Sequence, residues 1–337
     1  MRQFLMRTIP CFMVVTAFYH MSAAKAETVK ITLVTDWKAE PELGGFYEAY
    51  ALGLYKKQGL DVTIRSGGPG INNMQMLAAG AINFAIAGDS FAPLNLVQNG
   101  AKAKVVMAAL QKDPQCLMTH PRDDIKSLAD MKGKPLMLSS DGVDEFFLWL
   151  KAKYHFTDSQ IRPYTFNMAP FLVNKEAIQQ CYITSEPYIA QQQGGFKPQV
   201  YLLADNGYPS YASLLVVSDK MIDEHPEIVQ KFVNASIEGW YDYLNGNPAP
   251  ANALIEKDDP EETSGLIAYA LKTMKAEGMV QGGEAKALGI GIMTDERWKR
   301  FFDIMSKEGV YPAGMDYKSA YSLQFIKDAK LQYPEQP

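Results

Sequence analysis

From residue 29 the chain alternates short apolar β-runs with helix-length segments through brief glycine-marked connections, and it does so in two rounds. Such alternation demands a parallel sheet, because each strand-helix-strand unit returns the chain to the same edge and lays a helix over the sheet. The first round has strands VKITLVTD, LDVTIRSG, INFAIAG and AKVVMAAL, with helices expected at 46–57, 70–80 and 90–99. A polar stretch with a turn proline, QKDPQ at 111–115, precedes the second round. There the strands are CLMT, PLMLSS, RPYTF, CYITS and QVYLL, and the helices are IKSLADM, 143–154, 170–180 and 188–193. After ADNGYPSYA at 204–212 one more strand, SLLVVS, follows, and nearly everything beyond it reads as helix. Residues 226–244 carry Ile228, Val229, Phe232, Val233, Ile237, Trp240 and Tyr241 on one face, which must pack on the first unit. The expected architecture is α/β and two-lobed, each lobe a mostly parallel sheet flanked by helices, with a helical C-terminal extension. Lobe 1 spans 27–115 and 206–337, lobe 2 spans 116–205, and the two crossings form a hinge.

The first 26 residues stand apart. Arg2 and Arg7 precede an apolar stretch from Ile9 to Tyr19 that is too short to span a bilayer, and the segment ends in SAAKA. This is the pattern of an export signal cleaved after Ala26. Cleavage takes three of the 33 basic residues and none of the 38 acidic ones, moving the formal charge from −5 to about −8. With its lysines scattered, a chain so acidic has no basic stripe for a phosphate backbone, which argues against nucleic acid as a partner. About 310 residues remain, beyond the size at which a single core keeps growing. Cys116 and Cys181 lie in apolar strand runs and read first as small core residues, with pairing open to them in an oxidising compartment. His120, His155 and His225 are widely separated, and no metal-ligand spacing, G-x-S-x-G elbow or G-x-G-x-x-G loop is present. No catalytic residue, metal or cofactor is expected.

The segments GGFYEAYALGLYKKQGLDVTI, GGPGINNMQMLAAGAINFAIAG, IKSLADMKGKPLML, YITSEPYIA and LLVVSDKMIDEHPEIVQKFVNASIEGW occur in an order that resembles the periplasmic solute-binding proteins of ABC importers. Within these the chain is most similar to the branch related to thiamine-pyrimidine precursor synthases, which also contains binders of sulfonates, taurine and nitrate. The resemblance covers most of residues 28–245. It implies a type II-like periplasmic-binding-protein fold that closes on a small molecule. It further implies a periplasmic monomer whose partners are an inner-membrane ABC permease and its cytoplasmic ATPase.

Ligands of open α/β sheets bind outside the carboxyl ends of the strands, where helix N-termini present unpaired N–H groups. That rule selects five loops: Asp36 and Trp37; Ser66, Gly67, Gly68 and Asn72; Asp89 and Ser90; Ser139, Ser140 and Asp141; and Glu186 and Tyr188. Each residue also has a purely structural reading. Trp37 and Tyr188 would serve as packing aromatics, the glycines as a tight turn, and Asp89, Asp141 and Glu186 as helix N-terminal acids. The ligand-facing loops of the resembled family fall on these positions, which favours the site reading. Asp36 with Trp37 and Glu186 with Tyr188 end strands in opposite lobes, so closure would bring two acids and two aromatics together. Aromatics can sandwich a flat ring, and carboxylates accept hydrogen bonds from ring N–H and amino groups.

The five loops contain four acids and no arginine, whereas a sulfonate or nitrate site should supply cationic donors. The expected ligand is therefore planar, nitrogen-bearing and neutral or cationic, such as an aminopyrimidine of the thiamine pathway. The alternatives are a sulfonate-, taurine- or nitrate-type binder, a pyrimidine-precursor synthase, and an exported sensor module. Against the synthase stand the export signal and the absence of that group's cysteine-rich motif.

Overall fold

The computed structural model describes residues 28–327, so the export segment and its cleavage point after Ala26 lie outside the described residues. Ten strands follow in chain order: β1 (Val29–Val34), β2 (Leu60–Arg65), β3 (Phe84–Asp89), β4 (Ala103–Leu110), β5 (Gln115–Thr119), β6 (Leu136–Leu138), β7 (Ile161–Pro163), β8 (Ile178–Tyr182), β9 (Gln199–Leu202) and β10 (Ala212–Ser218). They form two five-stranded sheets, ordered β2-β1-β3-β10-β4 and β7-β6-β8-β5-β9. In the first sheet only β10 runs against its neighbours, and in the second only β5 does. Both odd strands lie where the chain crosses between sheets. Among the described residues no helix is long and apolar enough to cross a membrane.

Several elements of the second unit differ from the sequence reading: IKSLADM, expected as a helix, forms only the 3-10 turn Leu128–Met131, and the strand expected at RPYTF is β7, ending at Pro163. The helix expected at 170–180 is only Ala169–Val173, and the strand expected at 181–185 is β8, ending at Tyr182. Asn174 is responsible: its side chain accepts the Glu176 N–H and its carbonyl accepts the Ala177 N–H, a turn that stops the helix and starts the strand early. Cys116 and Cys181 are buried as expected, but they are also bonded to one another. They face each other in register on β5 and β8 with Cα atoms 4.9 Å apart, inside the reach of a disulfide.

The amphipathic helix Pro226–Asn245 packs on the helix Gly44–Ala51. Gly44 and Gly45 open the latter because the rings of Tyr243 and Trp240 occupy the space where side chains would begin. A Cβ at either glycine would stand 2.1 Å from a ring carbon. Phe232 of the long helix stacks between Tyr55 and Phe84, with centroids 4.7 and 4.1 Å away. The later helices do more than cover the first sheet. Ser264–Ala276 touches both the turn Pro41–Leu43 and the helix Glu186–Gly194, and Asp295–Lys307 packs on Phe146–Tyr154 of the second unit.

Asp295–Lys307 also supplies the group that holds the crossings. The Arg297 guanidinium donates to the carbonyls of Gln111 on the first crossing and of Pro209 and Ser210 on the second, and it lies 4.0 Å over the Tyr211 ring. Lys112 joins the first crossing to Asp205, just before the second, and to Glu277. Replacing Arg297 by methionine strands three part-buried carbonyls and should lower stability by about 3 kcal/mol. Denaturant unfolding of the variant would show it as an earlier midpoint; an unchanged midpoint would mean that the crossings hold without the guanidinium.

Candidate functional site

The strand ends open onto a cavity of about 620 Å³ between the two sheets, a size typical of small-molecule sites. Its first wall comes from Asp36, Trp37 and Glu40 after β1, from Gly68 to Met74 after β2, and from Gly88 and Asp89 at the end of β3. The opposite wall is formed by Ser139, Asp141 and Glu145, by Phe166, and by Gln180, Tyr182 and Glu186. Six carboxylates line it, and no arginine, lysine or histidine does.

Each acid is positioned by its local backbone. Asp36 lies against the backbone of β3, where a Cβ on Gly88 would come within 2.9 Å of its Oδ2, and its Oδ1 is buried without a partner. Asp89 accepts the N–H groups of Phe91 and Ala92 through Oδ1, starting the helix Phe91–Gln98, and accepts the Tyr208 hydroxyl through Oδ2. Asp89 is thus a helix-start acid that also lines the cavity. Glu186 is oriented by the Tyr182 N–H at 2.8 Å and the Tyr164 hydroxyl at 3.3 Å, and each of its oxygens keeps a further lone pair. Asn72 accepts the Gln75 N–H and Ser139 accepts the Gly142 N–H, so these two cap helices from the cleft wall.

Five of the thirteen residues singled out in the sequence do not line the cavity. Tyr188 faces away, its ring 5.3 Å from that of Tyr269 and its hydroxyl over Gly265. Residues two positions apart on a helix are separated by about 200°, so a helix that points Glu186 into the cleft points Tyr188 out. Ser90 is buried behind Asp89, where its hydroxyl accepts the Tyr211 N–H. Gly67 is pinned to the end of β1, donating its N–H to Thr35 Oγ1 and to the Trp37 carbonyl. Ser66 is exposed beside Tyr47, and Ser140 is exposed on Asp141.

The aromatic facing Trp37 across the cleft is Phe166, with ring centroids 4.5 Å apart and planes tilted by 47°. Phe166 is 41% exposed and its φ of +61° lies in the left-handed region, unusual for a bulky residue. Glu40, Glu145 and Phe166 are among the wall residues that the sequence did not reveal, as are Gln115, Gln180 and Tyr182. Among the described residues no cluster of side chains could hold a metal ion.

Burial of so many acids raises their pKa values. Asp36 is pushed up to about 6 and Asp89 to about 7, mainly by desolvation. Just behind the wall, burial lifts Glu42 to about 7, and Asp113 and Glu262 to about 8. Glu40, Glu145 and Glu186 are also raised, burial again leading, with neighbouring acids adding to the first two.

With this geometry in view, similarity to known proteins becomes informative. Residues 40–251 match the family described as NMT1/THI5 like. The chain is 25% identical over 309 residues to the riboflavin-binding protein RibY of Chloroflexus aurantiacus, covering 88% of this chain and 86% of that one. It is 26% identical over 242 residues to the formylaminopyrimidine-binding protein of Halalkalibacterium halodurans, covering 69% and 71%. In fold it is similar to the periplasmic aliphatic sulphonate-binding protein SsuA of Escherichia coli. That likeness has a TM-score of 0.67 over 87% of this chain and 92% of the other, at 14% identity.

The raised carboxyls make stability depend on pH in a definite direction. Between about pH 4 and pH 8 the folded chain holds protons on these acids that the unfolded chain has released, so stability falls as pH rises through that window. Thermal scans of the ligand-free protein should give a lower Tm at pH 8 than at pH 5.5; a Tm that climbs with pH over this range would show the acids to be compensated.

Proposed function

Because the chain belongs to the NMT1/THI5-like family, we propose that it is the extracytoplasmic solute-binding component of an ABC importer, not an enzyme. In this reading it is exported after cleavage at Ala26. It holds a planar nitrogen-bearing heterocycle of the aminopyrimidine kind between its two lobes and delivers it to the permease. The observation that carries the reading is the wall of six carboxylates without one basic side chain. Such a wall accepts hydrogen bonds from amino and ring N–H groups, and it repels sulfonate or nitrate. Trp37 and Phe166 supply aromatic faces, and their 4.5 Å separation must widen for a ring to lie between them. In this reading Asp36 and Glu186 read the ring's donors, Glu186 from the carboxylate that Tyr182 and Tyr164 hold in place.

A second reading, a flavin-type ring, is favoured by the likeness to a riboflavin-binding protein along 88% of the chain. Thermal-shift measurements with an aminopyrimidine, riboflavin and taurine separate the readings, since a ligand at 100 times its Kd adds about 2.7 kcal/mol of stability. Stabilisation by taurine alone would overturn both.

For the ligand that stabilises, Glu186→Gln should weaken binding roughly ten- to a hundredfold, the loss of about 1.5–3 kcal/mol expected for a charge-assisted hydrogen bond. Trp37→Ala should also weaken it. Calorimetry that finds full affinity in both variants, alongside lowered melting temperatures, would return these residues to a purely structural role.

A further inference from the structure

The acids of the cleft fall into two groups. Glu40 is acted on by Glu42, Asp36, Glu262 and Glu186, and the helix Ser264–Ala276 touches the elements that carry Glu42 and Glu186. Glu145 is acted on instead by Asp89, Asp141, Asp113 and Asp36, at the end where the chain crosses between sheets. Asp36 belongs to both groups, so the cavity has two acidic ends with the Trp37 and Phe166 rings on its walls.

Glu145 occupies an unusual position. It separates the helices Ser140–Asp144 and Phe146–Tyr154 with φ −119° and ψ −110°, outside the helical region, and this break brings its side chain to the cavity wall. Its carboxyl is part-buried on the cavity wall and has no hydrogen-bond partner among the described residues. Around it the unmet groups are also acceptors. Gln115 lines the cavity and its Oε1 is buried without a partner; behind the wall, Asp113, which takes the Gln115 N–H through Oδ1, has Oδ2 buried without one. Asp89 is occupied by the N–H groups of Phe91 and Ala92 and by the Tyr208 hydroxyl; Asp141 and Tyr182 complete the wall. The nearest cations lie off the cavity wall: Arg297 donates to the crossing carbonyls and acts on Asp113 from behind, and Lys112 pairs with Asp205 and Glu277, so neither reaches Glu145. A pocket end with buried acceptors and no cation of its own lacks one kind of partner, a positively charged donor.

We infer that the hinge end of the cleft is a cation subsite. There Glu145, with Gln115 on the same wall and Asp113 behind it, receives an ammonium or amidinium group carried on an arm of the ligand. The inference rests on the heterocycle reading above and narrows it from any planar nitrogen ring to one bearing a basic arm. Glu186 and Asp36 meet the ring's own donors, and Glu145 meets the arm.

The test compares two probes that share one ring, an aminopyrimidine with an aminomethyl arm and the same aminopyrimidine with a hydroxymethyl arm. Calorimetry on the wild-type protein at pH 8 should show the aminomethyl compound binding at least tenfold more tightly. Glu145→Gln should remove most of that preference, and Asp113→Asn, measured in parallel, should reduce it. Equal affinities in the wild-type protein, or a preference that survives in a folded Glu145→Gln variant, would overturn the subsite while leaving the heterocycle reading intact. Binding of neither probe would overturn the aminopyrimidine reading and the subsite with it. The wild-type comparison needs no variant to fold.

Discussion

The cleft depends on one part-buried guanidinium. Arg297 holds carbonyls from both crossings, Gln111 on one side and Pro209 and Ser210 on the other, so the two strands that join the sheets are fixed to each other and to the C-terminal helices. The second crossing is stitched in turn to the end of β3, where Ser90 donates its N–H to Ser210 Oγ and accepts the Tyr211 N–H, and Tyr208 donates to Asp89. The helices beyond residue 245 thus tie the two crossings together as well as covering the first sheet.

Backbone periodicity carries the parts of this structure that sequence makes legible. Alternating strand and helix runs give the two sheets, and the carboxyl ends of their strands give Asp36, Trp37, Asp89 and Glu186 as cleft residues. The same periodicity argues against Tyr188, since residues two apart on one helix face opposite ways. Phe166, Glu145 and Arg297 were hidden for separate reasons. Phe166 reaches the cleft through a left-handed backbone conformation adopted by the phenylalanine itself and not by the asparagine that follows it. Glu145 sits inside a run that reads as one unbroken helix, and only the break at that residue brings it to the wall. Arg297 lies among other charges on an amphipathic helix, DERWKRFFDIMSK, where an arginine reads as surface.

The fold itself does not choose the sign of the ligand's charge, since a sulphonate-binding protein shares it. In such folds helix N-termini converge on the cleft, and free N–H groups there form a ready anion site. In this chain several of those donors are already occupied from within. Asp89 takes the N–H groups of Phe91 and Ala92, Asn72 takes that of Gln75, and Ser139 takes that of Gly142. Three of the strand-end loops thus spend their helix N-termini on the chain's own side chains, one of them a carboxylate. What they leave facing the cavity is acceptor capacity, with Asp36 Oδ1 and Gln115 Oε1 unmet. An anion entering this cleft would find the helix donors taken and six carboxylates around it, whereas a ligand rich in N–H groups would find each unmet acceptor a reason to bind.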